Sequence, residues 1–244
     1  MALMLAGRYL SRVRFVASST ALTLCDTTKD WSVPKLVREC SECNDFLLYC
    51  CACNNELLDV PRRRKPTNPC HHFHVIFTDG ACTNNGLPDA KAGVGIAYGN
   101  DDGSQLSEPI TDILDAFPLR SNQRAELCAA KLGIEFLAKA HAEEQKSGTE
   151  AWIVATDSEY VVKGMTEWLP TWKRKDWRTS KGTKPANLDL FLALESVVTT
   201  QEAKNVTIGF WHIPREHNKL ADRLAKAAAA NGDEVRISTQ DTKA

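Results

Sequence analysis

The run Val75-Ile76-Phe77-Thr78-Asp79-Gly80 constrains this chain more than any other stretch. Its β-branched and aromatic residues have the length and character of a buried strand, and it ends in a carboxylate beside a glycine. An acid at the mouth of a central strand either opens a turn or serves as a metal ligand or acid/base group. Taken alone, Asp-Gly is more often a turn. Three further acids downstream, Glu126, Asp157 and Asp222, stand in matching local settings and shift that balance.

The rest of the pattern builds around this strand. Residues 92–99 read as a second strand, whose glycines imply close approach of a neighbour, and about 109–117 as a third. Short connections make the three an antiparallel meander. Ser121 or Asn122 caps a helix running to about Glu144, with Glu126 in its first turn and Cys128, Leu132 and Phe136 spaced to face the sheet. Residues 151–156 form a fourth strand ending in Asp157, and Ser158 caps the helix after it. Residues 206–213 form a fifth, and Asn218 caps a last helix that carries Asp222 and stops at Gly232. Strand–helix–strand alternation in this half requires parallel pairing. The expected fold is α/β: a five-stranded mixed sheet, three antiparallel strands followed by parallel ones, with helices on both faces.

At 244 residues and 43% hydrophobic content, one domain with extensions is expected. The divisions are 1–24, 25–70, a patterned domain at 71–232, and a tail at 233–244. No apolar run approaches the ~18 residues of a membrane span. Residues 1–24 carry Arg8, Arg12 and Arg14, and no acid precedes Asp26, which is the composition of a mitochondrial presequence. Of nine cysteines, seven fall between Cys25 and Cys70. An odd total without a clear secretory signal argues for a reducing compartment. An intracellular address, mitochondrial and/or nuclear, follows. Cys40 and Cys43, with Cys50 and Cys53, can close a tetrahedral zinc site across a knuckle-like hairpin. The choice among Cys50, Cys51 and Cys53 stays open, and Cys70, His71 and His72 are further donors. Pro61-Arg-Arg-Arg-Lys65 reads as a solvated basic linker, or else a nuclear address or phosphate contact.

Asp79 and Asp157 close strands that would lie side by side, while Glu126 and Asp222 project from helices. Four carboxylates brought together repel unless cations join them. Hard oxygen ligands suit magnesium or manganese, and paired cations promote in-line phosphoryl displacement. A second feature is Trp168 to Lys184, where Trp172, Lys173, Arg174, Lys175 and Trp177 interleave aromatic rings with positive charge. Such a stretch meets phosphates and sugars or bases. Trp168 reads mainly as an anchor of the helix–loop corner.

From about His74 to Asn231 the chain resembles the type 1 ribonuclease H family. The residues that carry this are Thr-Asp79-Gly-Ala-Cys-Thr-Asn-Asn85-Gly, Asn122-Gln-Arg-Ala-Glu126-Leu, Thr-Asp157-Ser-Glu-Tyr-Val and Asn218-Lys-Leu-Ala-Asp222-Arg-Leu-Ala. The resemblance implies an endonuclease that cuts the RNA strand of RNA/DNA hybrids with two Mg2+ ions (Mn2+ as a substitute), leaving 5′-phosphate and 3′-hydroxyl ends. It implies that Asp79 bridges both ions, that Glu126 and Asp157 complete the leaving-oxygen site, and that Asp222 helps hold the ion that activates water. It implies minor-groove contacts at Asn85, Asn122 and Gln123, and a DNA-phosphate pocket with Ser121 and Asn187. Two departures stand out. The loop before Asp222 is shortened, placing His217 close to it, and the Arg expected in the phosphate pocket reads Leu119, with Arg120 adjacent. A monomeric, free-standing enzyme on a hybrid partner, with no membrane, is the expectation. The alternative is a weak or silent hybrid-binding module.

Overall fold

The computed structural model of the chain describes residues 31–50, 71–142 and 150–231, together with the backbone of a short strand at Val13–Phe15. Apart from that strand, the expected presequence lies outside the described residues, as do Cys53, the basic run at 61–65 and the tail.

In chain order the elements are β1 (Val13–Phe15), α1 (Val33–Leu36), β2 (Val37–Glu39), β3 (Phe46–Leu48), β4 (Phe73–Thr83), β5 (Lys91–Ala97), β6 (Gln105–Pro109), α2 (Asn122–Ala140), β7 (Glu150–Thr156), α3 (Glu159–Lys163), α4 (Leu169–Arg174), α5 (Leu188–Glu202), β8 (Val206–His212) and α6 (Lys219–Asn231). A wide helical turn, Gly164–Trp168, joins α3 to α4. β4, β5 and β6 form the expected antiparallel meander, and β4, β7 and β8 pair in parallel. The expected five-stranded mixed sheet is therefore present.

The amino-terminal segment enlarges it. β1 pairs antiparallel with β8, and the β2–β3 hairpin joins the free flank of β4 through Leu47 and His74. β4 is long enough to do this: β3 lies along its first half and β5 along its second. The boundary expected at residue 71 thus falls inside one continuous sheet.

Alternation along the strands divides the core in two. Ile76, Val94, Ile96, Val154 and Phe210 face α2 and α5 in the larger cluster. Val75, Ile153, Ala155, Trp211 and Ile213 face the other way, where Val33, Leu36 and Leu48 of the amino-terminal segment cover them. On that second face α6 lies across β5 because both surfaces are small. A Cβ on Gly95 would stand 2.1 Å from the Ala221 carbonyl oxygen, and one on Gly93 would stand 2.4 Å from the Ala229 nitrogen. The alanine stripe of α6 packs into that space, with Ala221, Ala225, Ala228 and Ala229 buried.

Several expectations are corrected. The third strand is Gln105–Pro109 rather than 109–117. The segment after it turns instead, because buried Asp115 is drawn to Arg124. Glu126 begins the second turn of α2, not the first, since the helix starts at Asn122 with Ser121 as its cap. Cys128, Leu132 and Phe136 pack into the larger core cluster as expected, and Ala125, Ala129 and Gly133 are the small residues where the helix comes closest to the sheet. A Cβ on Gly133 would come within 2.8 Å of Thr78 Cγ2. Only small residues let the helix lie this close, which a search for large apolar spacing overlooks.

Candidate active site

Strand register brings the first two acids together. Phe77 pairs with Ala155 in the parallel ladder, so two residues on, Asp79 and Asp157 leave neighbouring strands at the same level. Asp79 is only 5% exposed. Glu126 arrives because Gly80 lets α2 touch the strand: a Cβ there would sit 2.2 Å from the Ala125 carbonyl carbon and 2.3 Å from the Glu126 nitrogen. Asp222 arrives on α6, seated by the glycine–alanine contact with β5.

The electrostatics record the crowding. Burial, then the charges of Asp157 and Asp222, push Asp79 up to about 7. Burial, then Asp79 and Asp157, raise Glu126 well above the usual carboxylate range. Burial acts upward on Asp222 too, but Lys226 and Arg215 outweigh it and hold the group below its ordinary value. Both cations lie 2.7 Å from a carboxylate oxygen of Asp222. Among the described residues, Glu126 Oε2 and Asn218 Oδ1 are buried at this site with no hydrogen-bond partner. A buried, unpartnered carboxylate oxygen beside two other acids is the donor set a hard divalent cation would satisfy. The residues therefore fit the expected magnesium or manganese.

Asn218 differs from its expected role. Its side chain does not cap α6. Nδ2 donates instead to the Thr78 carbonyl at 3.0 Å and to Asp157 Oδ1 at 2.7 Å, tying together the ends of β4 and β7. Arg215 is the other residue that sequence patterns missed: its guanidinium lies 2.7 Å from Asp222 and 4.0 Å from Asp157. It sits in the shortened loop, in the same short turn as His217. His217 forms part of the same short turn and lines a groove with Asn218, Val33 and Phe77, outside the carboxylate cluster.

Several of the expected nucleic-acid contacts gather around the start of α2. Asn85 Oδ1 accepts from the Asn122 backbone at 2.9 Å, fastening the β4–β5 turn to the start of α2. Ser121 accepts from the Arg124 backbone at 3.3 Å. Asn187, in the left-handed region at φ 53°, donates to the Tyr160 hydroxyl at 3.0 Å and lies 3.5 Å from Gln123 Oε1. Arg124, whose role was not foreseen, lies beneath these residues as a buried ion-paired group. It is 3% exposed, pairs with Asp115 and Asp189, and reaches Asn187 Oδ1 at 3.3 Å. Arg120 is occupied elsewhere, donating to the Asp115 and Phe117 carbonyls and to Asp112.

The basic stretch divides. Trp172 packs on Phe191 and Trp168, with ring centroids 5.3 and 6.2 Å apart, so it is a half-buried anchor rather than an open stacking surface. Lys173 is ion-paired with Glu195. Arg174, Lys175, Trp177 and Arg178 are exposed. Asp176 and Trp177 both take positive φ, which turns the tip outward.

Of the expected zinc ligands, Cys40 and Cys43 come together, but with His71. Cys50 instead lies 3.6 Å from His72 Nδ1.

The RNase H family profile matches residues 72–230, the span that holds all of these acids. A ribonuclease H from Cyanothece sp. is 38% identical over 160 residues, covering 64% of this chain and 88% of that protein. One from Polynucleobacter asymbioticus is 32% identical over 171 residues, covering 68% and 94%. Human ribonuclease H1 is 30% identical over 166 residues, and the match spans about half of that longer protein (52%). With the strand order, the strand-end acids and a family match over most of its length agreeing, the chain belongs to the RNase H family.

Proposed function

We propose that this chain hydrolyses the RNA strand of RNA/DNA hybrids as a metal-dependent endoribonuclease, giving 5′-phosphate and 3′-hydroxyl ends. The observation that carries the reading is the convergence of Asp79, Glu126 and Asp157, with two of the three pushed toward protonation and one oxygen of Glu126 unpartnered. Structural cores do not retain such a set, because like charges in a buried site cost stability.

Asp79, Glu126, Asp157 and Asp222 would hold two divalent cations, magnesium or manganese, which supply a nucleophilic water at neutral pH and shield charge on the departing oxygen. The protein's share is positioning. Asn218 fixes the Asp157 carboxylate against the Thr78 carbonyl. Arg215 and Lys226 neutralise Asp222 in the free chain, and Arg215, 68% exposed at its side chain, can swing to a phosphate when the acid is otherwise engaged. Asn85, Asn122 and Gln123 present amides where the minor-groove 2′-hydroxyls distinguish RNA from DNA. The exposed tip with Lys175, Trp177 and Arg178 meets the partner strand's backbone.

The test uses labelled RNA/DNA, RNA/RNA and DNA/DNA duplexes of one sequence with magnesium, for the native chain and for Asp157→Asn. Cleavage confined to the hybrid's RNA strand and to the native chain is expected, with hybrid binding kept by the variant. Binding without cleavage in magnesium or manganese would replace this reading with a hybrid-binding module.

A further inference from the structure

The β2–β3 turn has the form of a metal-binding knuckle. Cys40 and Cys43 stand two residues apart in the spacing zinc sites use. Cys40 N donates to the Asp45 carbonyl and Asn44 N to the Cys40 carbonyl, each at 2.9 Å, and Asn44 closes the turn at φ 62°. The Glu42 backbone N–H donates to Cys40 Sγ at 3.4 Å and orients that sulfur.

A third donor comes from far along the chain. His71 Nε2 lies 3.5 Å from Cys40 Sγ and 3.3 Å from Cys43 Sγ. With Zn–S near 2.3 Å and Zn–N near 2.0 Å at tetrahedral angles, sulfur and nitrogen should be about 3.5 Å apart. The two observed spacings are close to that.

We propose that Cys40, Cys43 and His71 bind one zinc ion that clasps the amino-terminal hairpin to the start of β4. The fourth corner of the tetrahedron is left for water or another donor. The site is distinct from the carboxylate cluster: His71 precedes β4, and the six steps of extended strand from Phe73 to Asp79 span about 20 Å at 3.3 Å per residue. It is also distinct from the neighbouring buried group of Asp45, His74 and His141. There Asp45 accepts from His74 and His141 at 3.0 and 3.1 Å, and His74 meets Glu150 at 3.2 Å, so these groups already partner one another. The zinc clasp does not depend on the proposed nuclease reaction.

The full chain, purified without a metal-chelating tag, should contain about one zinc per chain by elemental analysis. Cobalt exchange should produce a thiolate-to-cobalt charge-transfer band. Cys43→Ser and His71→Ala should weaken zinc affinity on the order of a hundredfold, read by competition with a chromophoric chelator. Cys43 and His71 are exposed, so circular dichroism should show both variants folded. Asp79→Asn and Cys50→Ser should keep the zinc. A chain that holds no zinc and gives no cobalt band overturns the proposal. So does retention of native affinity by His71→Ala, or loss of zinc in Cys50→Ser while His71→Ala keeps it.

Discussion

Replacing Asp79 with Asn should destroy the catalytic arrangement yet make the metal-free protein more stable. Asp79 holds its proton up to about 7 in the folded chain, against an ordinary value of 3.8. The native state therefore keeps a proton that the unfolded chain has released. That contribution to stability is fully present below 3.8 and is lost as pH rises through about 7. A shift of this size corresponds to ~4 kcal/mol at 1.36 kcal/mol per unit. It is a ceiling, because Arg215 lies close by and water can enter as the acids ionise. Asn carries no charge and offers an N–H where the protonated acid offers its O–H to Asp157, so it preserves the low-pH contacts. Urea unfolding in EDTA should show the variant more stable by roughly 2 kcal/mol at pH about 8 and matched to the parent at pH about 4. Magnesium should then stabilise the parent and leave the variant nearly unchanged. Equal stability of the two chains at pH about 8, or a less stable variant, would refute the crowding of charge on which the site rests.

Gly80→Ala should lower stability by ~3 kcal/mol or more and abolish cleavage, because its methyl would sit 2.2 Å from backbone of α2 and drive Glu126 away; thermal melts and activity together check this. Arg124→Ala leaves Asp115 buried without its cation and should cost ~3–5 kcal/mol, and Arg124→Lys should restore little, since one ammonium cannot span Asp115 and Asp189 as the planar fork does. Burial alone would raise Asp45, but hydrogen bonds from His141 and His74 overcome it and hold the group below its usual range. Its stabilising share is therefore present above the ordinary carboxylate value and lost as pH falls, and Asp45→Asn should flatten the acid limb of the stability curve. Trp177→Ala should weaken hybrid binding severalfold in a gel-shift titration with no change in melting temperature, because the ring is exposed, whereas Trp172→Ala should lower the melting temperature through its contact with Phe191.

What sequence reading missed follows a consistent physical logic. Asn218 has the residue type of a helix cap, and only the approach of β4 and β7 gave its amide two stronger acceptors. Trp172 and Trp177 are alike in a string of letters; whether a ring is covered depends on where α5 places Phe191. Arg124 has the look of a surface helix residue, but it turns inward because two aspartates, nine residues before it and 65 after, fold to its sides. For the cysteines, spacing alone left Cys50, Cys51 and Cys53 as candidate second halves of the site, with Cys70, His71 and His72 as further donors. The pairing of Leu47 with His74 is what brings His71 to Cys40 and Cys43.

The sequence by itself determined the element types, the mixed sheet and the acids at the strand ends, because hydrophobic period, caps and turn residues act over a few neighbours. The tertiary structure alone decided which small residues let α2 and α6 approach the sheet, how the amino-terminal hairpin extends β4, and which cation or amide meets each carboxylate. Those outcomes depend on distances of a few ångströms between segments far apart in the chain, and no local pattern records such distances.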